Sequence, residues 1–403
     1  MKYDFTSIID RRNKDALAVD GLGKIPDMAP TPPKEGFDII PMWVADMNFP
    51  VLPNIQEAML ARIREPHFGY FLPRNEYFDF IIRWHEKRNR VTGLNSECIG
   101  HENGVLGGLV SAINVFCSKG DNILVHSPTY IGFTHSLLNN GYNIVHSFLV
   151  KDDAGVWRMD FKDMERKIVE NRIHAVVFCS PHNPCGRVWE YWELEKAMEL
   201  FCKYDVYVVS DEIWSDIILD GHQHIPTQSI SEDARNRTVA LYAPSKTFNL
   251  AGLLGAYHIV YNKYIRERME KESSLSHYND MNVISMHALL GAYREEGYTW
   301  VDELRLVITE NVDYACDYIA RNFKGVEVSK PEGTYMLFAD CSKWCEAHGK
   351  TLDDVERAAW EVGVAVQDGR MFHGPCHLRF NLALPLSCVK EAFARLDKYV
   401  FNT

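Results

Sequence analysis

The chain has 403 residues, 46% of them apolar by type, and a formal net charge of -12. That length and apolar fraction suffice for a large packed domain plus a smaller one, and disorder is not expected anywhere. An acidic chain without a long basic run repels nucleic acid and anionic membranes, which leaves small molecules or protein partners as the expected ligands.

Met1 to Asp15 alternates charges with single apolar residues, and no run of about 18 apolar residues follows. This predicts neither a secretion signal nor a membrane span, and a cytoplasmic address. Pro26 to Pro33 reads as an extended segment laid over something larger. From about residue 50 to 290, apolar runs at 121–125, 144–148, 175–179, 206–210, 238–242 and 256–260 alternate with helical patterns such as Phe161 to Asn171 and Tyr191 to Lys203. Strands apolar on both faces, joined by crossover helices, predict an α/β fold with a mostly parallel sheet. After about residue 297 the pattern changes to a long helix from Val301 to Phe323, short strands at 326–328 and 335–339, and a final helix ending near Tyr399. The expected division is therefore an N-terminal segment 1–49 belonging with the smaller domain, a large domain 50–295, and a small α+β domain 296–403. The ten cysteines are scattered without a Cys-x-x-Cys pair, and Cys341 and Cys345 lack a second ligand pair, so reduced thiols are expected and no metal centre.

Several motifs fall at the carboxyl ends of predicted strands, where open α/β sheets bind ligands. Glu102 to Leu109 opens a helix rich in small residues, whose free N–H groups suit a phosphate or whose glycines serve close packing; Gly104 and Val105 lie at its start. Tyr130, in Pro128-Thr129-Tyr130, offers a ring face to a planar ligand or to the core. Asn183 is presented by the Pro- and Gly-bounded turn Ser180 to Arg187 and is either a turn residue or an amide donor. Asp211, in Ser210-Asp211-Glu212-Ile213-Trp214, is a strand-tip carboxylate that faces a cation or caps the next helix. Lys246, in Pro244-Ser245-Lys246-Thr247-Phe248-Asn249, follows an apolar strand directly; a desolvated lysine there is a nucleophile for an aldehyde. Arg379 lies in the alternating strand His377 to Ala383 and needs a carboxylate, from a substrate or from the protein.

These motifs, with Pro41-Met42-Trp43-Val44-Ala45-Asp46-Met47, stand in an order that resembles the fold type I pyridoxal-phosphate (PLP) enzymes of aminotransferase class I/II, in the MalY/PatB cystathionine β-lyase branch. The resemblance spans nearly the whole chain. It implies a three-layer, seven-stranded, mostly parallel sheet and a homodimer with shared sites. Position by position it implies that Lys246 forms the imine link to PLP, Asp211 pairs with the pyridine nitrogen, Asn183 bonds the ring O3', and Tyr130 stacks on the ring. Gly104, Val105 and Ser245 would hold the phosphate, with Tyr70 reaching that of the neighbouring subunit. Arg379 would clamp the substrate carboxylate, joined on the substrate side by Asn183 and Ala45. Three positions depart from the pattern: Trp214 where a tyrosine or histidine is usual near O3', Leu254 near the place of a phosphate-binding arginine, and Asn48 for an acidic residue.

The implied chemistry is removal of the Cα proton of an amino acid by Lys246. Expulsion of a thiolate from Cβ would give pyruvate and ammonia, as in a β-lyase of cystathionine or cysteine S-conjugates. Reprotonation on the cofactor would give transamination. The site motifs serve both, and the Trp43 to Met47 segment with Leu254 favours the lyase; a regulatory PLP-binding protein is a third reading.

Overall fold

Runs of apolar residues without alternation become strands buried on both faces. Ala175–Cys179 and Thr238–Tyr242 are buried along their whole lengths, the pattern of central strands covered by helices on either side. The computed structural model describes the whole chain except residues 27, 276–278 and 403. Its main sheet runs, edge to edge, Ile99–Asn103, Gly255–Ile259, Thr238–Tyr242, Tyr207–Asp211, Ala175–Cys179, Asn122–Ser127, Asn143–Lys151 and Trp157–Met159. The five strands from Thr238–Tyr242 to Asn143–Lys151 are mutually parallel. Gly255–Ile259 is antiparallel to both of its neighbours.

Seven of these strands form the mostly parallel sheet expected. The eighth, Trp157–Met159, hairpins back on Asn143–Lys151 through a turn in which the Asp152 carboxylate accepts the N–H groups of Ala154 and Val156. Local capping sets the helices between strands. The Asp160 carboxylate accepts the Lys162 and Asp163 N–H groups at the start of Phe161–Glu170, and the Glu193 carboxylate accepts the Glu190 N–H at the start of Tyr191–Lys203, each answering an otherwise orphaned donor.

A second, antiparallel sheet has the order Glu327–Val328, Met336–Asp340, His377–Asn381, Gln367–Asp368. The N-terminal segment reaches it indirectly, because Ile40–Pro41 pairs in parallel with Val364–Ala365. The long helix begins at Glu295, six residues before the predicted start, and runs to Asn322. Gly297 concealed those six residues in the sequence. A Cβ at that position would lie 1.9 Å from the Ala292 carbonyl oxygen, so glycine is there to let the helix approach the preceding turn. The helix then buries Trp300, Val301, Leu304, Ile308, Val312, Ala315 and Ile319 on one stripe. Among the described residues no helix is long and apolar enough to cross a membrane.

Candidate active site

Most of the residues singled out in the sequence meet at the carboxyl ends of the parallel strands, where open α/β sheets form a ligand crevice. Asp211 is the last residue of its strand, paired in register with Cys179, and is buried. The Ile213 N–H donates to its Oδ1 at 3.0 Å. Burial pushes the Asp211 carboxyl up to about 7, against the pull of that N–H and of the Lys246 charge. Such a carboxylate is stabilised by a cation placed against it.

Lys246 sits on the single helical turn Pro244–Thr247 that follows strand Thr238–Tyr242. Thr247 ties that turn to the floor by donating to the buried Asp216 carboxylate at 2.9 Å. Lys246 Nζ donates to the Ala45 carbonyl at 2.8 Å and lies 5.6 Å from the centroid of the Trp214 ring. Burial, with Arg379 as the next contributor, lowers its ammonium to about 8, despite the opposing influence of Asp46 and Asp211. The arrangement leaves an amine with a substantial neutral fraction at mildly alkaline pH.

Arg379 lies within strand His377–Asn381 and is buried. Its Nη2 donates to the Trp43 carbonyl at 3.0 Å and its Nη1 to Asn183 Oδ1 at 3.5 Å, while the guanidinium lies 4.1 Å from the Phe372 ring centroid. Its Nε is buried without a hydrogen-bond partner among the described residues. The sequence left open whether the protein supplies a carboxylate for it; among the described residues none forms an ion pair with Arg379. Burial lowers the guanidinium to about 10, and an arriving carboxylate would reverse that shift.

Asn183 is buried beside Arg379, in the loop after Ala175–Cys179. Tyr130 caps the helix Ile131–Asn139 with its ring edge-to-face on Phe133, and it is near enough to Arg379 and Asp211 to feel both charges. Gly104 has φ +77°, and no described residue lies within 4 Å of where a Cβ would stand at the start of helix Val105–Phe116. Glu102 and Asn103 belong to the preceding strand Ile99–Asn103 rather than to that helix. Ser245 shares the turn of Lys246.

The departures have clear places. Trp214 is buried edge-to-face against Tyr335, at 4.6 Å between ring centroids, and presents its face to Lys246. Leu254 is exposed with φ +56°. Asn48 is buried; its Oδ1 accepts from Arg11 Nη1 at 2.9 Å, and Arg11 forms an ion pair with Asp46. Tyr70 does not join the crevice of its own chain: it is fully exposed, between the exposed Phe68 and Leu72.

Sequence reasoning missed Asn249, Tyr335 and Asn381, which surround the Trp43–Met47 backbone. A signal existed for one of them. Asn381 follows Arg379 by two residues in a strand, so both side chains leave the same face.

A family description, aminotransferase class I and II, matches residues 47–396. The chain belongs to this family. It is 32% identical over 362 residues to cystathionine beta-lyase PatB of Bacillus subtilis (strain 168), covering 89% of this chain and 92% of that protein. It is 27% identical to protein MalY of Escherichia coli (strain K12), with 98% of each chain covered. Among solved structures, cystalysin from Treponema denticola, which contains a pyridoxal 5'-phosphate cofactor, superposes with a TM-score of 0.89 at 30% identity over 99% of this chain and 98% of its own.

Proposed function

We propose that this chain is a PLP-dependent C–S β-lyase that cleaves cystathionine or related cysteine S-conjugates to a thiol, pyruvate and ammonia. The observation that carries the reading is a lysine amine set between a buried, cation-seeking carboxylate and a guanidinium without a carboxylate, in a chain alignable along nearly its full length with PatB and cystalysin. The residues fit the cofactor on three counts: among the described residues, Asp211 forms no ion pair, Arg379 Nε has no acceptor, and no side chain or backbone crowds the helix start at Gly104.

In this reading Lys246 would hold the aldehyde carbon, Asp211 the ring nitrogen, Asn183 the ring hydroxyl oxygen and Tyr130 the ring face. Trp214 walls the lysine side, and the N–H groups at Gly104 and Val105, with Ser245, hold the phosphate. When bound, PLP supplies an aldehyde and an electron-accepting ring. Arg379 orients the substrate by its carboxylate, with Asn183 and Ala45 beside it. Lys246 Nζ, free once the substrate amine has taken its place, would remove the Cα proton as general base, which its lowered basicity suits. The Cα electron pair becomes the Cα–Cβ double bond as the sulfur leaves Cβ with its bonding pair as a thiolate, and the released enamine is hydrolysed by water to pyruvate and ammonia. Ionised Asp211 would hold a proton on the ring nitrogen.

The reading extends to a homodimer in which Tyr70 reaches the phosphate held by the partner subunit, supported by its full exposure between exposed apolar neighbours. It also places the protein in the cytoplasm, for which the ten free thiols argue. The large unit is taken as 50–295 and the small one as 296–403 with 1–49, a division supported by the pairing of Ile40–Pro41 with Val364–Ala365.

The test is an absorbance spectrum of the protein with PLP, before and after L-cystathionine, with pyruvate, ammonia and thiol assayed together. A visible-violet band that is absent in Lys246→Ala, with pyruvate and thiol in equal amounts, supports the lyase. Bleaching that recovers only with an added keto acid would instead make the protein an aminotransferase.

A further inference from the structure

Every carbonyl from Trp43 to Met47 is held by a side chain from elsewhere in the fold. Trp43 O accepts from Arg379 Nη2 (3.0 Å), Val44 O from Asn381 Nδ2 (2.7 Å), and Ala45 O from Lys246 Nζ (2.8 Å) and the Tyr335 hydroxyl (3.1 Å). Asp46 O also accepts from Asn381 Nδ2, and Met47 O from Asn249 Nδ2 at 2.9 Å and, at 3.5 Å, from Arg11 Nη1. These five residues lie outside any helix or strand, so side chains supply the partners that a sheet ladder would otherwise supply.

The donors divide into two groups. Arg379 and Lys246 are the cations that the proposed chemistry redirects, one towards a carboxylate and one towards Cα. Asn249, Asn381 and Tyr335 have no such second task. Asn249 makes a two-way amide pair with Met47, its Oδ1 accepting the Met47 N–H at 2.9 Å. Its φ of 59° is a left-handed conformation that asparagine tolerates, and it stands three residues after Lys246. Asn381 is fully buried, and its Oδ1 is fixed by the Ala383 N–H at 2.8 Å, which leaves its Nδ2 aimed at the Val44 and Asp46 carbonyls.

We infer that Asn249 and Asn381 are positioning residues that hold the Trp43–Met47 strap in place, so that the Ala45 carbonyl keeps the free Lys246 amine aimed into the crevice between proton transfers. The Trp43 carbonyl likewise occupies Arg379 until a substrate carboxylate displaces it. This rests on the roles proposed above for Lys246 and Arg379. Without the Asn249 clamp the strap remains attached through Asn381, Tyr335 and Arg11, but Met47 loses both amide bonds to the segment that carries Lys246, so the Ala45 oxygen is less closely held beside Nζ.

The variant to make is Asn249→Gly, which keeps the left-handed backbone and removes the amide; Asn249→Asp keeps the bulk and sets a carboxylate oxygen against the Met47 carbonyl. Two readouts decide. First, PLP is added to the apo-protein and the rate of appearance of the violet band is followed against pH. A carbonyl acceptor favours the ammonium, so its loss moves the midpoint of this profile to lower pH. Second, kcat and KM are measured with L-cystathionine; misplacement of the base is expected to lower kcat by about 10- to 100-fold, leaving KM within about two-fold because Arg379 still binds the carboxylate. Circular dichroism of both variants establishes that they are folded. An unchanged midpoint with unchanged kcat in both variants, while the wild type forms the band normally, would overturn the positioning role and leave the cofactor reading standing. A wild type that forms no band would overturn both.

Discussion

Asp211→Asn separates what the site costs the fold from what it does for the reaction. The Asp211 carboxyl has a model-peptide value of 3.8 and is pushed up to about 7 in the folded chain by burial. The sign follows from proton counting. Between those two values the folded chain binds more protons at this position than the unfolded chain, so raising the pH through that window lowers the stability of the apo-protein. Stability contributed by protonated Asp211 is complete below pH 3.8, declines as the pH rises towards about 7, and is gone above it. Three pH units at about 1.4 kcal/mol each set the loss at up to about 4 kcal/mol.

An asparagine cannot ionise, so its fold carries no such slope. Its Oδ1 can keep the Ile213 N–H, and each amide N–H of its Nδ2 that is buried unpaired costs about 1–3 kcal/mol. The net expectation is a variant less stable than wild type at pH 4 and at least as stable at pH 8. Its lyase activity falls by about two orders of magnitude or more, because the ring nitrogen loses its anion. Urea denaturation of the two apo-proteins from pH 4 to 8 measures the difference directly, and other titrating groups cancel in the comparison. Parallel stability curves over that range would refute the claim that Asp211 is held against its own ionisation. In the holo-protein the ring nitrogen answers the carboxylate, so the stabilisation conferred by PLP should grow with pH over the same window.

Arg379→Lys keeps the charge but loses the planar fork, and is expected to raise KM for L-cystathionine about 10- to 100-fold with a smaller effect on kcat, measured by initial rates. Gly104→Val forces a β-branched residue to φ +77° at the helix start; equilibrium titration should show PLP affinity falling about ten-fold or more, with little change in the affinity for pyridoxal, which lacks the phosphate. Tyr70→Ala and Lys246→Ala are each expected to be inactive, yet mixed subunits should regain about a quarter of wild-type activity, since half the dimers are hybrids with one intact site. Failure of the mixture to regain activity, with subunit exchange verified by mass, would remove Tyr70 from the shared site.

The parts of this protein that were legible in the sequence are those whose cause is local. Ala175–Cys179 is apolar at every position because both of its faces are covered, and the strand begins and ends where the pattern does. Asp211, Lys246 and Arg379 betrayed themselves because a charged side chain at the end of, or within, an apolar strand must have a partner. The start of the long helix was hidden by Gly297, whose role is set by the Ala292 carbonyl and not by its own neighbours. The strap was hidden for a similar reason. Nothing in Trp43–Met47 indicates that its carbonyls belong to residues more than 200 positions away, and Asn249 in Phe248-Asn249-Leu250 reads as a turn residue until Met47 is set beside it. A lone asparagine in sequence is compatible with a cap, a turn or a surface, and only the fold decides which backbone it meets. The consequence is specific to this site: Lys246 and Arg379 could be found from their chemistry, whereas the residues that aim them could be found only from contacts between distant parts of the chain.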